Sequence, residues 1–266
     1  MNSLNIFCVT DKPHKHLEAL NVSLVGVGKR QFNYKYITCL NGKNIQKKEK
    51  YYSELTFHYW FWKNKLKNYR NNDWIGFCQK RRFWIKNDSS KININKKNLE
   101  EHLLSEPEEA WKNYESIICS PIDVSGVKKI KLIKRGWKNI LKNPTILFDR
   151  KKETIKLHFD MHHGYGNLDK AINVMDEDDR YDFDKYVSNN SIYNPHIMFI
   201  TKPEILKNWF SKLFSWLEKC EEVFGFKSLK GYDTTRLYAY LAERYLSFWY
   251  RKYTNFKEQP WVFIDH

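Results

Sequence analysis

Two adjacent arginines, Arg81 and Arg82, follow the apolar run DWIGFC at 73–78. That run reads as a buried strand, so the pair stands near a strand's end. Arginine presents a planar fork of donors that grips phosphate oxygens two at a time, which makes the pair a candidate for holding a diphosphate. The same guanidinium groups could instead close ion pairs with Glu54 and Glu243, and the residues alone leave both readings open. Asp160-Met161-His162 is a second candidate. If that stretch is extended, Asp160 and His162 share a face and offer two metal ligands. The acidic run at 176–184 (Asp176, Glu177, Asp178, Asp179, Asp182, Asp184) lacks the spacing and the glycine of a calcium loop, and reads as a solvated loop.

Other patterns narrow the chemistry by what they lack. VGVGKR at 25–30 does not have phosphate-loop spacing, and no GxSxG elbow marks a hydrolase. The five cysteines (Cys8, Cys39, Cys78, Cys119, Cys220) are scattered without a CxxC pair, which argues against a disulfide framework or a zinc ribbon. With no signal-like N-terminus and no apolar run near the ~20 residues of a membrane span, the expected location is the cytoplasm. Lys and Arg number 46 against 31 Asp and Glu, a formal charge of +15. Such an excess suits nucleic acid, an anionic membrane face or phosphorylated substrates, and equally a solvated surface. Aromatic residues reach 17 %, and their faces make platforms for sugar rings and bases.

The elements that must position these groups alternate in type. Strand-like runs occur at 4–9, 23–28, 73–78, 114–120 and 194–200, and helical spacing at 51–67, around LEEHLL (99–104), from 203 to the 220s, and at 233–252. The densest basic stretch is KKIKLIKRGW at 128–137. The helix opening at Pro203 carries a broad apolar face (Leu206, Trp209, Phe210, Leu213, Phe214, Leu217) that reads as core-facing rather than membrane-facing. The pattern predicts one α/β domain over 1–266, with a core at about 4–252 and a tail at 253–266. Its sheet is expected to be central, mixed and mostly parallel, flanked by helices.

Five blocks in order, YYSELTFHYWFWKN (51–64), WIGFCQKRRFW (74–84), MHHGYGNLDKAI (161–172), YNPHIMFITK (193–202) and YLAERYLSFW (240–249), resemble a bacterial family of capsular and exopolysaccharide biosynthesis proteins. That family is catalogued as a domain of unknown function and regarded as glycosyltransferase-like, and the resemblance runs from about residue 4 to 252. It implies a GT-A-like fold and transfer of a sugar from a nucleotide-sugar, a UDP-sugar being favoured, to a growing capsular, exopolysaccharide or O-antigen-type glycan. One departure stands out. Where the family commonly shows His-Tyr-Arg-Arg after the central strand, this chain has Gln79-Lys80-Arg81-Arg82.

The resemblance also distributes roles. No Asp-x-Asp follows the central strand, so Arg81 and Arg82, helped by Arg244, are expected to stabilise the leaving diphosphate without a metal. Manganese or magnesium at Asp160 and His162 is the alternative. Tyr52 and Glu54 fall to the donor side, and Asn194, His196 and Trp60 to sugar or acceptor recognition. Asp160, Glu243 and His163 are nominated for catalysis, since transfer with inversion needs one base at the acceptor hydroxyl. The expected partners are a nucleotide-sugar and a glycan or lipid-linked glycan, with peripheral contact to the inner face of an anionic membrane. Nucleic acid is disfavoured because no helix-turn-helix, zinc finger or RNP signature occurs. The rival readings are an inactive polysaccharide-assembly protein and a basic nucleic-acid-binding module.

Overall fold

The computed structural model describes residues 3–265. Strands and helices alternate along the chain. It begins with β1 (Leu4–Thr10), β2 (Ser23–Gly26) and β3 (Tyr36–Thr38), followed by α1 (Glu49–Tyr52) and α2 (Leu55–Asn64). Next come β4 (Trp74–Gln79), β5 (Arg82–Trp84), α3 (Leu99–His102), β6 (Ser116–Cys119) and β7 (Ile122–Asp123). A helical stretch follows: α4 (Lys129–Lys142), α5 (Ile155–His163), α6 (Asn167–Asn173) and α7 (Glu177–Asn189). The chain closes with β8 (Ile192–Tyr193), β9 (Phe199–Thr201), α8 (Pro203–Phe224), α9 (Tyr232–Thr235), α10 (Leu237–Tyr253), β10 (Phe256–Gln259) and β11 (Trp261–Phe263).

Among the described residues the chain divides into two compact units. The first holds the chain up to Ser120, His196–Lys212 and the part from Trp249 on; the second holds Pro121–Pro195 and Leu213–Phe248.

The first unit contains the sheet, in the order β10-β6-β9-β4-β1-β2-β3, with β5 beside β4 and β11 beside β5. Strands β4, β1, β2 and β3 run parallel, while β9 runs antiparallel between β4 and β6. The expected central, largely parallel sheet flanked by helices is therefore the observed architecture. Side chains alternate across it as the period of a strand requires. Cys8, Cys78 and Ile200 join one core cluster with Trp84 and Trp111. On the other face Phe7, Phe77 and Phe199 meet the α2 rings of Phe57 and Phe61 and the α8 ring of Phe210. Gly76 has no side chain because Ile200 lies over it: a Cβ there would stand 2.8 Å from Ile200 Cγ1.

Three expectations change. The helix read over 51–67 is broken at Ser53, whose φ of 51° ends α1 before α2 begins. The acidic run at 176–184 is not a loop but the start of α7, where Glu177, Asp178 and Asp179 occupy the first turn and favour the positive end of the helix dipole. The segment after 252, read as a tail, supplies two strands. Gln259 is fully buried and donates to the Ile85 carbonyl (2.9 Å) while accepting from the Trp111 indole (3.2 Å).

The second unit is mostly helical, with a two-stranded β7–β8 ribbon. Its core is tied by polar contacts: Tyr245 donates to Asp179 (2.5 Å), Ser247 to Asn194 (2.8 Å), and the Trp216 indole to the Ala171 carbonyl (2.8 Å). All six apolar residues of the α8 stripe, Leu206, Trp209 and Phe210 in the first unit and Leu213, Phe214 and Leu217 in the second, are buried, as a core-facing helix requires.

His58 lies 1 % exposed among Phe77, Phe199 and Phe210, and burial lowers its pKa to about 3. The unfolded chain takes up this proton near pH 6.5, whereas the folded chain takes it up only near 3. Between those values the unfolded state binds more protons, so stability falls as pH drops, by about 1.4 kcal/mol per pH unit for this one group. His163 and His158, lowered by burial to about 4 and about 2, act with the same sign. Denaturant titrations from pH 7 to 4 should show the midpoint falling steadily, and His58→Leu should make that fall shallower.

Candidate functional site

In the first unit β1 lies between β2 and β4, so the strand order leaves β1 in one direction through β2 and β3 and returns on its other side with β4. In open α/β sheets ligands bind beyond the carboxyl ends of the strands at which the order reverses, and the carboxyl ends of β1 and β4 are such a place. The register sets what stands there. Val9 pairs with Gln79, which brings the next residues, Thr10-Asp11 and Lys80, together.

Charged groups gather at this edge. Lys80 donates its backbone N–H to the Val9 carbonyl (3.1 Å) and its ammonium pairs with Asp11. The Thr10 hydroxyl donates to the Lys12 carbonyl (2.7 Å) and holds the turn after β1. The Gln79 amide links two charges, donating to the Glu54 carboxylate and accepting from Arg82 (3.0 Å). At the end of β2, Gly28 has φ 89°, its carbonyl accepts from Gln46 (2.6 Å), and a Cβ on it would stand 3.3 Å from the Glu49 carboxylate. Asp11, Glu54, Gln79, Lys80 and Arg82 are all half-buried, so they are held by neighbours yet remain accessible. Half-buried cations on a sheet's carboxyl edge can bind phosphate oxygens more strongly than fully solvated ones.

Arg81 occupies the β4–β5 turn. It pairs with Asp265, and both it and Arg82 stand within cation–π reach of Phe263, at 4.9 and 5.5 Å. Arg82 is thus linked to Glu54 through Gln79, and the ion pair of Arg81 is with Asp265 rather than with a carboxylate weighed for it in the sequence.

Arg244 belongs to the second unit. It is 1 % exposed, donates to its neighbour Glu243 (2.7 Å), lies 3.2 Å from His158 Nδ1, and packs 4.2 Å over the Tyr193 ring. It is a structural pair there rather than a surface cation.

Several nominated residues are corrected by their surroundings. Asp160 and His162 lie on helix α5, not on an extended segment, and positions two apart on a helix point to different sides. Asp160, 6 % exposed, accepts from Asn139 (2.7 Å) and from the Gly166 N–H (3.0 Å), while His162 Nδ1 faces the His158 carbonyl (2.8 Å). Among the described residues no three of His, Cys, Asp or Glu come together as a metal set. Burial raises the pKa of Asp160. His163 stacks on Tyr240 at 3.7 Å and donates from Nδ1 to the Asp233 carbonyl (3.0 Å), a buried neutral ring. Tyr52 is buried in the first unit, and the Trp60 indole donates to the Asn41 carbonyl (2.5 Å), so neither offers a face to a sugar. Asn194 is fully buried and engaged by Ser247. His196, half-buried with φ 65°, sets its ring edge-on to Trp261 at 4.6 Å.

The structure therefore brings Glu54 and Arg82 together at the carboxyl edge in the first unit, and Asp160, His163, Glu243 and Arg244 belong to the second unit. Sequence reasoning missed Asp11, Glu49, Gln79 and Lys80 as members of that edge. The signal for Asp11 was present: it directly follows the first buried strand.

The family model for a domain of unknown function, DUF4422, matches residues 5–255. The chain belongs to the DUF4422 family. A solved structure similar to this DUF4422 chain is that of the bifunctional glycosyltransferase WbbM in its apo form, with a TM-score of 0.68 and 18 % identity. The match covers 100 % of this chain and 46 % of that one, so the DUF4422 chain spans less than half of WbbM. At that identity the likeness is one of fold. No curated protein matches the chain.

Asp160→Asn separates a structural role from a chemical one. Its two acceptor bonds make a loss of about 1–3 kcal/mol of stability the expected outcome, visible as a lower melting temperature. An unchanged melt would remove the structural assignment.

Proposed function

We propose that this DUF4422 chain is a glycosyltransferase that binds a nucleotide-sugar at the carboxyl edge of β1, β2 and β4. The observation that carries the reading is the half-buried set Asp11–Lys80 and Glu54–Gln79–Arg82 at the reversal of strand order, on a fold like that of a glycosyltransferase. As the bond from sugar to diphosphate breaks, negative charge builds on the leaving oxygens. Fixed cations near those oxygens lower the barrier without having to reorganise. Lys80 and Arg82 are assigned this task, with Glu54, Gln79 and Asp11 holding them in position. Arg81, paired with Asp265, stands beside them.

The donor is proposed to be a UDP-sugar and the acceptor a growing glycan, free or lipid-linked, of the capsular, exopolysaccharide or O-antigen kind; the five-block resemblance supports that class. A divalent ion is no part of this reading. The carboxylates at the edge already hold Lys80 and, through Gln79, Arg82.

A thermal-shift series with UDP, GDP, dTDP, ADP and CMP, with and without manganese, tests this. A nucleotide at about a hundred times its Kd should stabilise the fold by about 2.7 kcal/mol. The expected result is a shift by one nucleotide, independent of manganese and lost in Lys80→Ala/Arg82→Ala. A manganese requirement would replace the fixed cations by a metal, and a shift without turnover of any UDP-sugar would favour the inactive assembly protein. No shift with any nucleotide would sink the proposal.

A further inference from the structure

Helix α4 has two apolar sides, and the fold uses one of them. Leu132 is buried with Leu157 and Met161, and Gly136 lets α5 come close, since a Cβ there would stand 3.4 Å from Met161 Cγ. The second side faces solvent. Ile130, Ile133, Trp137 and Leu141 are 72, 55, 52 and 73 % exposed, and Phe148 beyond the helix is 85 % exposed. At 3.6 residues per turn those four helical residues fall within an arc of about 80°. The adjoining arc carries Lys134, Lys138 and Lys131. Lys138 stands 5.6 Å from the Trp137 ring and 5.8 Å from that of Tyr165, itself exposed. Residues 124–148 contain seven Lys and Arg and no Asp or Glu.

We propose that α4 is a docking surface for an anionic membrane, lying in the headgroup layer with Ile130, Ile133, Trp137 and Leu141 inserted and its lysines on lipid phosphates. Exposed Trp and aliphatic side chains rimmed by lysine match the chemistry of a helix that lies in a bilayer interface. Lysine stems lie along the apolar layer while their ammonium groups reach the headgroups. Two other occupants fit less well. Nucleic acid would use the lysines and leave the aliphatic stripe wet. A second copy would set one lysine-rich face against another. No helix among the described residues is long and apolar enough to cross a membrane, so α4 rests on the surface. The inference is independent of the transferase reading, because no nucleotide enters its test.

The test is cosedimentation with phosphatidylcholine vesicles and with vesicles of phosphatidylcholine and phosphatidylglycerol, at low and high salt. The protein should pellet with the anionic vesicles only, and less so at high salt. Lys134→Ala/Lys138→Ala should weaken binding roughly thirty-fold, since each such lysine is worth about 1 kcal/mol and about 1.4 kcal/mol is tenfold. Trp137→Ser/Leu141→Ser should weaken it at least as much, with an unchanged melting temperature because both side chains are largely exposed. The proposal fails if the wild type stays in the supernatant with anionic vesicles at low salt. It fails equally if the Trp137/Leu141 variant binds as well as wild type, or if a single-stranded oligonucleotide or self-association, rather than vesicles, responds to these substitutions.

Discussion

The register between β1 and β4 decides what the carboxyl edge of the sheet presents. Six pairs, from Leu4 against Trp74 to Val9 against Gln79, place Phe7 beside Phe77 on one face and Cys8 beside Cys78 on the other. A slip of one residue would turn each of those side chains to the opposite face, so burial on both sides holds the register. Gly76 adds a steric constraint on both sides of β4, since a Cβ there would stand 2.8 Å from Ile200 of β9 and 3.3 Å from Ile6 of β1. With the register held, the chain leaves β4 just where it leaves β1, and Lys80 meets Asp11. The charges at the edge are thus a consequence of hydrophobic packing deeper in the sheet.

Buried polarity is handled differently in the two units. In the first, His58 stays neutral, because an aromatic cage offers no partner to an imidazolium. In the second, Arg244 keeps its charge, which requires Glu243 beside it and the Tyr193 ring against its face. Removing water from a guanidinium is costly, and a partner with a good hydrogen bond offsets much of that cost. Around it, Asp179 with Tyr245 and Asn194 with Ser247 satisfy polar groups that would otherwise be stranded.

Two charge runs of opposite sign show how context assigns meaning. Most acids from Asp176 to Asp184 are accounted for: Asp176 pairs with Lys219, Asp184 with Lys156, Asp179 with Tyr245, and Glu177 and Asp178 lie in the first turn of α7 at the positive end of its dipole. Of the bases of α4, Arg135 pairs with Asp233 (3.4 Å), while Lys134 and Lys138 lie beside a stripe of exposed aliphatic and aromatic groups. A run of charge is mostly paired in one case and the rim of an exposed apolar stripe in the other.

Much of the architecture was legible in the chain. Apolar runs bounded by polar turns locate β1, β4 and β6, and the 3.6-residue stripe from Leu206 to Leu217 locates α8 and its inward face, because periodicity is a local record of burial. The short pieces were less legible. Strands β5, β10 and β11 have three or four residues each, too few for a period to show, and they exist because neighbours offer them hydrogen-bonding edges. The edge site divides in the same way. Arg82 and Glu54 were readable as charged groups beside a strand and a helix, but that Gln79 joins them depends on a fold bringing positions 54, 79 and 82 together. Asn194, Trp60 and Tyr52 looked available in sequence and are buried, since burial is a sum over distant neighbours that no local window contains. The sequence by itself determined which segments alternate, which faces are apolar and where charge is dense. Only the tertiary structure decided which charges meet, which aromatics are used up in the core and which face of α4 is left to solvent, because each of these depends on contacts between residues far apart in the chain.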